Sequence, residues 1–170
     1  MGKYKIGLTT IKLGAIAVDG GMGTVLTAVG DTVAGTAQMT TEDDQKTDFN
    51  IEESDSPVMS IVTTPGAITL AWSTYANDAT TLQKMFGGTI VPAGSGGGET
   101  WKAPDSFPEQ ELSLEATWKQ GGILRVPRAK IAANLNMSFK KDTLSQIDIT
   151  ATILQPTKAN EPRISIENAN

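Results

Sequence analysis

Period-two alternation of apolar and polar residues recurs in five separate windows of this chain, and that periodicity belongs to strands rather than helices. Thr47, Phe49 and Ile51 alternate with Lys46, Asp48, Asn50 and Glu52. Ile68, Leu70 and Trp72 alternate with Thr69, Ala71 and Ser73. Leu112, Leu114, Ala116 and Trp118 stand opposite Glu111, Ser113, Glu115 and Thr117. Ile131 to Phe139 and Ile147 to Ile153 repeat the pattern. Five such segments predict a sheet with one face on a core and one face polar, which antiparallel sheets adopt and helix-flanked parallel sheets do not. The expected fold class is all-β, an antiparallel β-sandwich or barrel with one short helix.

Weaker strands are expected at Lys3 to Lys12, Val33 to Thr40 and Val58 to Thr64. Gly20-Gly21-Met22-Gly23, Gly30-Asp31, Thr64-Pro65-Gly66 and Gly121-Gly122 mark turns between strands. Pro127 lies inside the apolar run from Ile123 to Phe139 and predicts a bulge or a break there. The helix is expected over Ala79 to Phe86, with Asp78 as its N-cap and Gly87-Gly88 as its stop. Two turns are too short to stand alone in water, so this helix must pack on a sheet edge or a barrel mouth. Residues 91–108 contain a Gly-Ser-Gly-Gly-Gly run and three prolines, and predict a long surface loop. The polar tail 156–170 carries a short alternating piece, Arg163 to Glu167, suited to pairing with a sheet edge of its own or a neighbouring chain. The whole chain, 1–170, reads as a single domain without internal repeats.

Composition removes most chemistry. The chain has neither cysteine nor histidine. Disulfides, thiol nucleophiles, Cys- or His-ligated metals and histidine acid/base relays are therefore excluded. With 14 basic and 19 acidic residues, the net charge of −5 argues against a protein that grips nucleic acid through its phosphates. Gly21-Met22-Gly23 lacks the third glycine of a dinucleotide fingerprint, and the run from Gly94 to Gly98 lacks the Lys-Ser or Lys-Thr of a phosphate loop. No enzyme and no cofactor is expected. The start of the chain, to Val18, imitates a signal peptide, but Thr9, Thr10 and Lys12 interrupt its apolar run. A soluble protein made in a cytoplasm is the expectation.

The densest charge is Glu42-Asp43-Asp44 through Asp48, Glu52, Glu53 and Asp55. A calcium site built on Asp48, Asn50 and Glu52 lacks the glycine and closing Glu of an EF-hand loop, so a solvated strand face is the plainer reading. A surface that repels other anions is a third reading. Trp72 and Trp118 fall on the apolar phase of their strands and are assigned to the core. Trp101 lies in the Gly/Pro loop, where it anchors either its own loop or an interface.

The order of these features resembles the major tail tube proteins of long-tailed, siphovirus-like bacteriophages, whose fold is shared with contractile injection-system tube proteins. The resemblance rests on the acidic strand leading into a proline, Phe49 to Pro57, and on the short helix Asp78 to Phe86 with Gly87-Gly88-Thr89. The Gly/Pro loop and the alternating strands at Leu112 to Trp118, Ile131 to Phe139 and Ile147 to Gln155 complete it. It implies hexameric rings that stack into a hollow tube in the virion, assembled in the bacterial host cytoplasm, through which DNA passes without specific binding. Tape-measure and tail terminator or tip proteins are the implied partners, with no membrane involved. An anionic channel wall would keep DNA from sticking. Asp48, Glu52, Glu111 and Glu115 are the candidate wall residues, facing either the lumen or the outside. Gly96, Gly97, Trp101, Arg163 and Ile164 are the candidate inter-ring or inter-subunit residues. From a different class, a β-sandwich carbohydrate-binding or phage fibre/decoration protein would use Trp101 and Tyr75 as binding aromatics.

Overall fold

The computed structural model describes residues 5–75, 77–92, 94 and 97–168. Gly96, and the first residues of the expected N-terminal strand at Lys3 and Tyr4, lie outside the described residues. The protein is mostly β with one short helix, and its antiparallel sheets form a sandwich-like fold. In chain order the elements are β1 (Leu8–Gly14), β2 (Thr27–Ala28), β3 (Gln38–Thr41), β4 (Gln45–Ile51), β5 (Ser54–Thr64) and β6 (Ile68–Thr74). They continue with α1 (Ala79–Phe86), β7 (Thr89–Val91), β8 (Thr100–Lys102), β9 (Gln110–Trp118), β10 (Ile123–Asn136), β11 (Gln146–Ile153) and β12 (Ser165–Glu167).

The main sheet runs β2-β1-β9-β10-β11-β6-β3, with β12 joined to β10. Its alternation is read out directly in β11, where Ile147, Ile149, Ala151 and Ile153 are buried and Asp148, Thr150 and Thr152 are not. Register keeps the apolar sets together: Ile149 faces Ala133 on one neighbour and Trp72 on the other. The two ends of the sheet are then drawn together by residues 29–33. Val29 N–H donates to the Ile11 carbonyl on β1, while Val33 N–H donates to Ser73 and Tyr75 N–H to Asp31 at the end of β6. The Thr74 hydroxyl, fully buried, donates to the carbonyls of Val29 and Asp31. The sheet thereby curls into a barrel-like body around Ile11, Leu13, Trp72, Leu114, Ile147 and Ile149.

Pro127 produces a bulge and not a break. Between Val126 and Ala129 the β9–β10 register slips, and there β10 exchanges β12 for β11 as its second neighbour. A proline has no N–H for a ladder, so this unpaired point is where a long strand tolerates one. The Ser113 hydroxyl, fully buried, donates to the Pro127 carbonyl at 2.6 Å and accepts the Gly23 N–H at 2.9 Å. Gly23 must be a glycine here, because a Cβ would lie 2.1 Å from the Ala15 carbonyl.

The helix forms where expected. Asp78 accepts the Thr81 N–H at 3.1 Å and the Thr81 hydroxyl at 2.7 Å, and Gly87 ends the helix at φ 72°. Leu82, Met85 and Phe86 enter the core. Gly87 packs beside Pro108 and Gln110, so α1 closes the barrel at the end where β9 begins.

Several expectations shift. The strand expected at Val33 to Thr40 is displaced to β3, because 33–37 make the closing turn. The strand expected from Val58 begins at Ser54, and Pro57 falls in an irregular stretch between Ser54 and Met59 without a ladder partner. The stretch 91–108, expected as a loop, contains β8, paired with β7. Beyond Asn136 the alternating run leaves the sheet, and Phe139 is 94% exposed.

Candidate functional site

The largest departure from the sequence expectation is the acidic strand. Thr47, Phe49 and Ile51 carry the same alternation as the core strands, yet every residue of β4 is exposed. β3 and β4 run antiparallel to β5 and β6 as one long ribbon. Its base, β3–β6, belongs to the main sheet, and its distal half, β4–β5, forms a separate two-stranded sheet. Hydrogen bonds at the junction hold the base: Glu42 N–H donates to Ala67 O and Gly66 N–H to the Asp44 carboxylate. Beyond that junction, among the described residues, β4 and β5 make no extensive contact with any other element. At about 3.3 Å per residue the arm is roughly 25–35 Å long.

The arm has two unlike faces. Phe49 faces Met59 and Thr47 faces Ile61, so Phe49, Ile51, Met59 and Ile61 make one apolar side, each about half exposed. Asp48 faces Ser60 and Lys46 faces Val62 on the other side. Glu52 and Glu53 form the turn. Residues 42–55 hold seven carboxylates and one lysine, a charge of −6 against −5 for the whole chain; the remainder therefore carries +1. Three of the seven, Glu42, Asp43 and Asp44, lie at the junction, and the arm itself, residues 45–64, carries −3. Among the described residues no three carboxylates gather as a metal site would require.

Glu111 and Glu115 sit elsewhere, on the polar face of β9, and each has cationic partners. The Arg128 guanidinium donates twice to Glu111, at 2.8 and 3.0 Å, and holds its carboxyl below the ordinary carboxylate value. Glu115 lies between Lys12 and Arg125, each 3.3 Å away. Arg125 also pairs with Glu167 at 2.6 Å, and that contact, with Glu115, raises its pKa. The wall candidates thus divide into two on the projecting arm, Asp48 and Glu52, and two in a charge-balanced cross-strand ladder.

The interface candidates also divide. The Trp101 indole N–H donates to the Gly87 carbonyl at 2.8 Å, and its ring lies 6.1 Å from Phe86, so it ties the β7–β8 hairpin to the end of α1. Ile164 packs against the barrel core and Arg163 is exposed. Next to them β12 pairs with the first half of β10 in its own chain, and Lys158 fixes the tail to Asp19 at 2.9 Å. Gly97 is exposed, with its N–H donating to the Gly94 carbonyl. Ser138 and Lys141 have a Ser-x-x-Lys spacing, but they lie in the turn between β10 and β11 and not on a helix that would join amine to hydroxyl.

A second feature went unread in the sequence. At the end of the barrel opposite α1 there is a groove of about 710 Å³. It is lined by Leu8, Met39, Leu70, Trp118, Leu124 and Ile166, among others, with Asp31 and Lys119 as its charged groups. Lys5 lies over the Trp118 ring with its ammonium 4.3 Å from the centroid. These residues come from β1, β3, β6, β9, β10 and β12, which no local pattern brings together. Among the described residues no helix is long and apolar enough to cross a membrane. No protein-family model matches the chain, and no curated protein matches it significantly.

Proposed function

We propose that this chain is a self-assembling structural subunit, and that its assembly is the tail tube of a long-tailed bacteriophage, built from stacked hexameric rings. The observation that carries the proposal is the β4–β5 arm. A two-stranded hairpin without further packing is marginal in water, and a ribbon with one apolar side is an open invitation to pair or pack. Phe49, Ile51, Met59 and Ile61 acquire a reason for being apolar only when another surface covers them. The barrel supplies a rigid base, and the arm supplies reach.

The charge pattern supports the channel. When a neighbour covers the apolar side, Asp48 is left on the opposite side of the ribbon beside Lys46, and the net negative charge that repels phosphate comes from Glu52, Glu53 and Asp55 at the turn. Glu111 and Glu115 add little net field because Arg128, Lys12 and Arg125 offset them. The anionic wall therefore rests on the arm, and DNA passes it without binding. Tape-measure and terminator proteins, contacting the inside and the end of the tube, are the further partners of this proposal. The carbohydrate-binding alternative loses support, since the Trp101 indole is engaged within its own chain.

Negative-stain microscopy of purified protein is the direct test. Rings or tubes are the expected outcome, and a chain that stays monomeric at high concentration while binding glycans overturns the proposal. For the channel, a phage carrying Asp48→Lys and Glu52→Lys should build tails of normal length yet deliver its genome poorly. Undiminished infectivity removes the wall role of these two residues.

A further inference from the structure

We infer that the groove at the open end of the barrel is the receptor for the arm of a second copy of this chain. The inference deepens the assembly proposal, on which it rests, by naming the surface that the arm meets. Three observations converge on it.

The first is matching apolar surface. The arm ends in Phe49 and Ile51 beside a two-residue turn, a narrow tip with one greasy side. The groove offers Leu8, Trp118, Leu124 and Ile166 in a volume of about 710 Å³, ample for two large side chains. Ile166 and Met39 are about half exposed along it, so it too is left uncovered by its own chain.

The second is charge complementarity. Glu52 and Glu53 at the arm's turn make its tip anionic. Lys119 lines the groove and Lys5 lies over Trp118; among the described residues neither has a carboxylate within ion-pair distance. Within the lining Asp31 balances Lys119, and Lys5, over the Trp118 ring, supplies the excess cation at the groove's edge. The arm, residues 45–64, carries −3 from four carboxylates and Lys46, and a second copy answers it locally with Lys119 and Lys5 at the groove.

The third is the geometry of the alternative. The turn between β10 and β11 also exposes Phe139 and Leu144 beside Lys140 and Lys141, and it serves as the competing site in the test below. An arm on one surface and a groove on another make a head-to-tail contact, which closes into a ring or propagates as a stack. Docking by the apolar side leaves Asp48 outward, as the channel requires.

The chain has no cysteine, so single introduced cysteines report contact without background. Ile51→Cys protein is mixed with Ile166→Cys protein and oxidised, beside a control mixture of Ile51→Cys with Lys140→Cys. The groove pairing should give about tenfold more mixed disulfide than the control, because docking raises the local thiol concentration. Equal yields, or preference for Lys140→Cys, overturn the inference. A charge swap adds an independent readout. Lys119→Glu should raise the concentration needed for assembly about tenfold, and Glu53→Lys in the same chain should restore it. Assembly indifferent to Lys119→Glu, or not rescued by the swap, overturns the inference as well. Rings in the microscope without the groove disulfide leave the tube proposal standing and remove the groove. A groove disulfide between copies that form only closed dimers does the reverse.

Discussion

Strands β4 and β11 carry almost the same sequence rhythm and meet opposite fates. In β11 the apolar phase is Ile147, Ile149, Ala151 and Ile153, all buried, because β10 and β6 flank the strand and the barrel closes over it. In β4 the apolar phase is Thr47, Phe49 and Ile51, all exposed, because among the described residues β5 is its one strand partner and no other element packs extensively on the ribbon. Alternation therefore specifies that a strand has an apolar side; it does not specify whose atoms will cover that side. The barrel covers its own. The arm's apolar side stays exposed.

The contrast is testable on folding stability, and the core should give the largest response. Trp72→Ala removes a side chain only 2% exposed and should cost about 3–5 kcal/mol in denaturant unfolding. A loss below about 1 kcal/mol would mean that the barrel interior is not packed as described. Ser113→Ala comes next, leaving the Pro127 carbonyl and the Gly23 N–H buried without partners, at about 1–3 kcal/mol. A neutral outcome would show that the bulge does not depend on this hydroxyl.

A smaller effect is expected at the helix cap. Asp78→Ala should cost about 1 kcal/mol through loss of the bonds from Thr81. The cap also has a pH signature. Burial pushes the Asp78 carboxyl up, but the hydroxyl and N–H of Thr81 outweigh it and hold the pKa below the ordinary 3.8. Its contribution is therefore complete above 3.8 and is lost as pH falls through the lower folded value. The stability difference between wild type and Asp78→Ala should shrink in acid; a constant difference across that range contradicts the cap's ionic character.

The arm should respond least in folding and most in assembly. Phe49→Ser with Ile61→Ser should change unfolding stability by no more than about 0.5 kcal/mol, since neither side chain touches the core. The same pair should abolish oligomers in light scattering. A large loss of monomer stability would erase the distinction between barrel and arm.

Much of the fold was legible because its signals are local. Asp78 and Gly87 bracket a helix whatever surrounds them, and the alternation at Leu112 to Trp118 and Ile147 to Ile153 is set by the pleat. Pro127 announced an irregularity for the local reason that it lacks an N–H. The kind of irregularity was not legible, since a bulge instead of a break depends on Ser113 and on two strands exchanging places beside β10. Trp101 was ambiguous because its partner, the Gly87 carbonyl, lies 14 residues away across a glycine-rich connection. The ladder around Glu111 and Glu115 was equally hidden, because Arg125, Arg128 and Lys12 reach them by cross-strand register.

The amino-acid sequence by itself determined that this protein would be a β structure with one capped helix, without thiol or imidazole chemistry, and with its negative charge concentrated in residues 42–55. Those properties follow from side-chain chemistry and from periodicities of two and 3.6, which act over a few residues. Only the tertiary structure decided that the barrel closes through residues 29–33, that the acidic strand leaves the core as an arm, and that six strands contribute to an apolar groove. Each of these depends on contacts between residues far apart in the chain, whose partners no local pattern names.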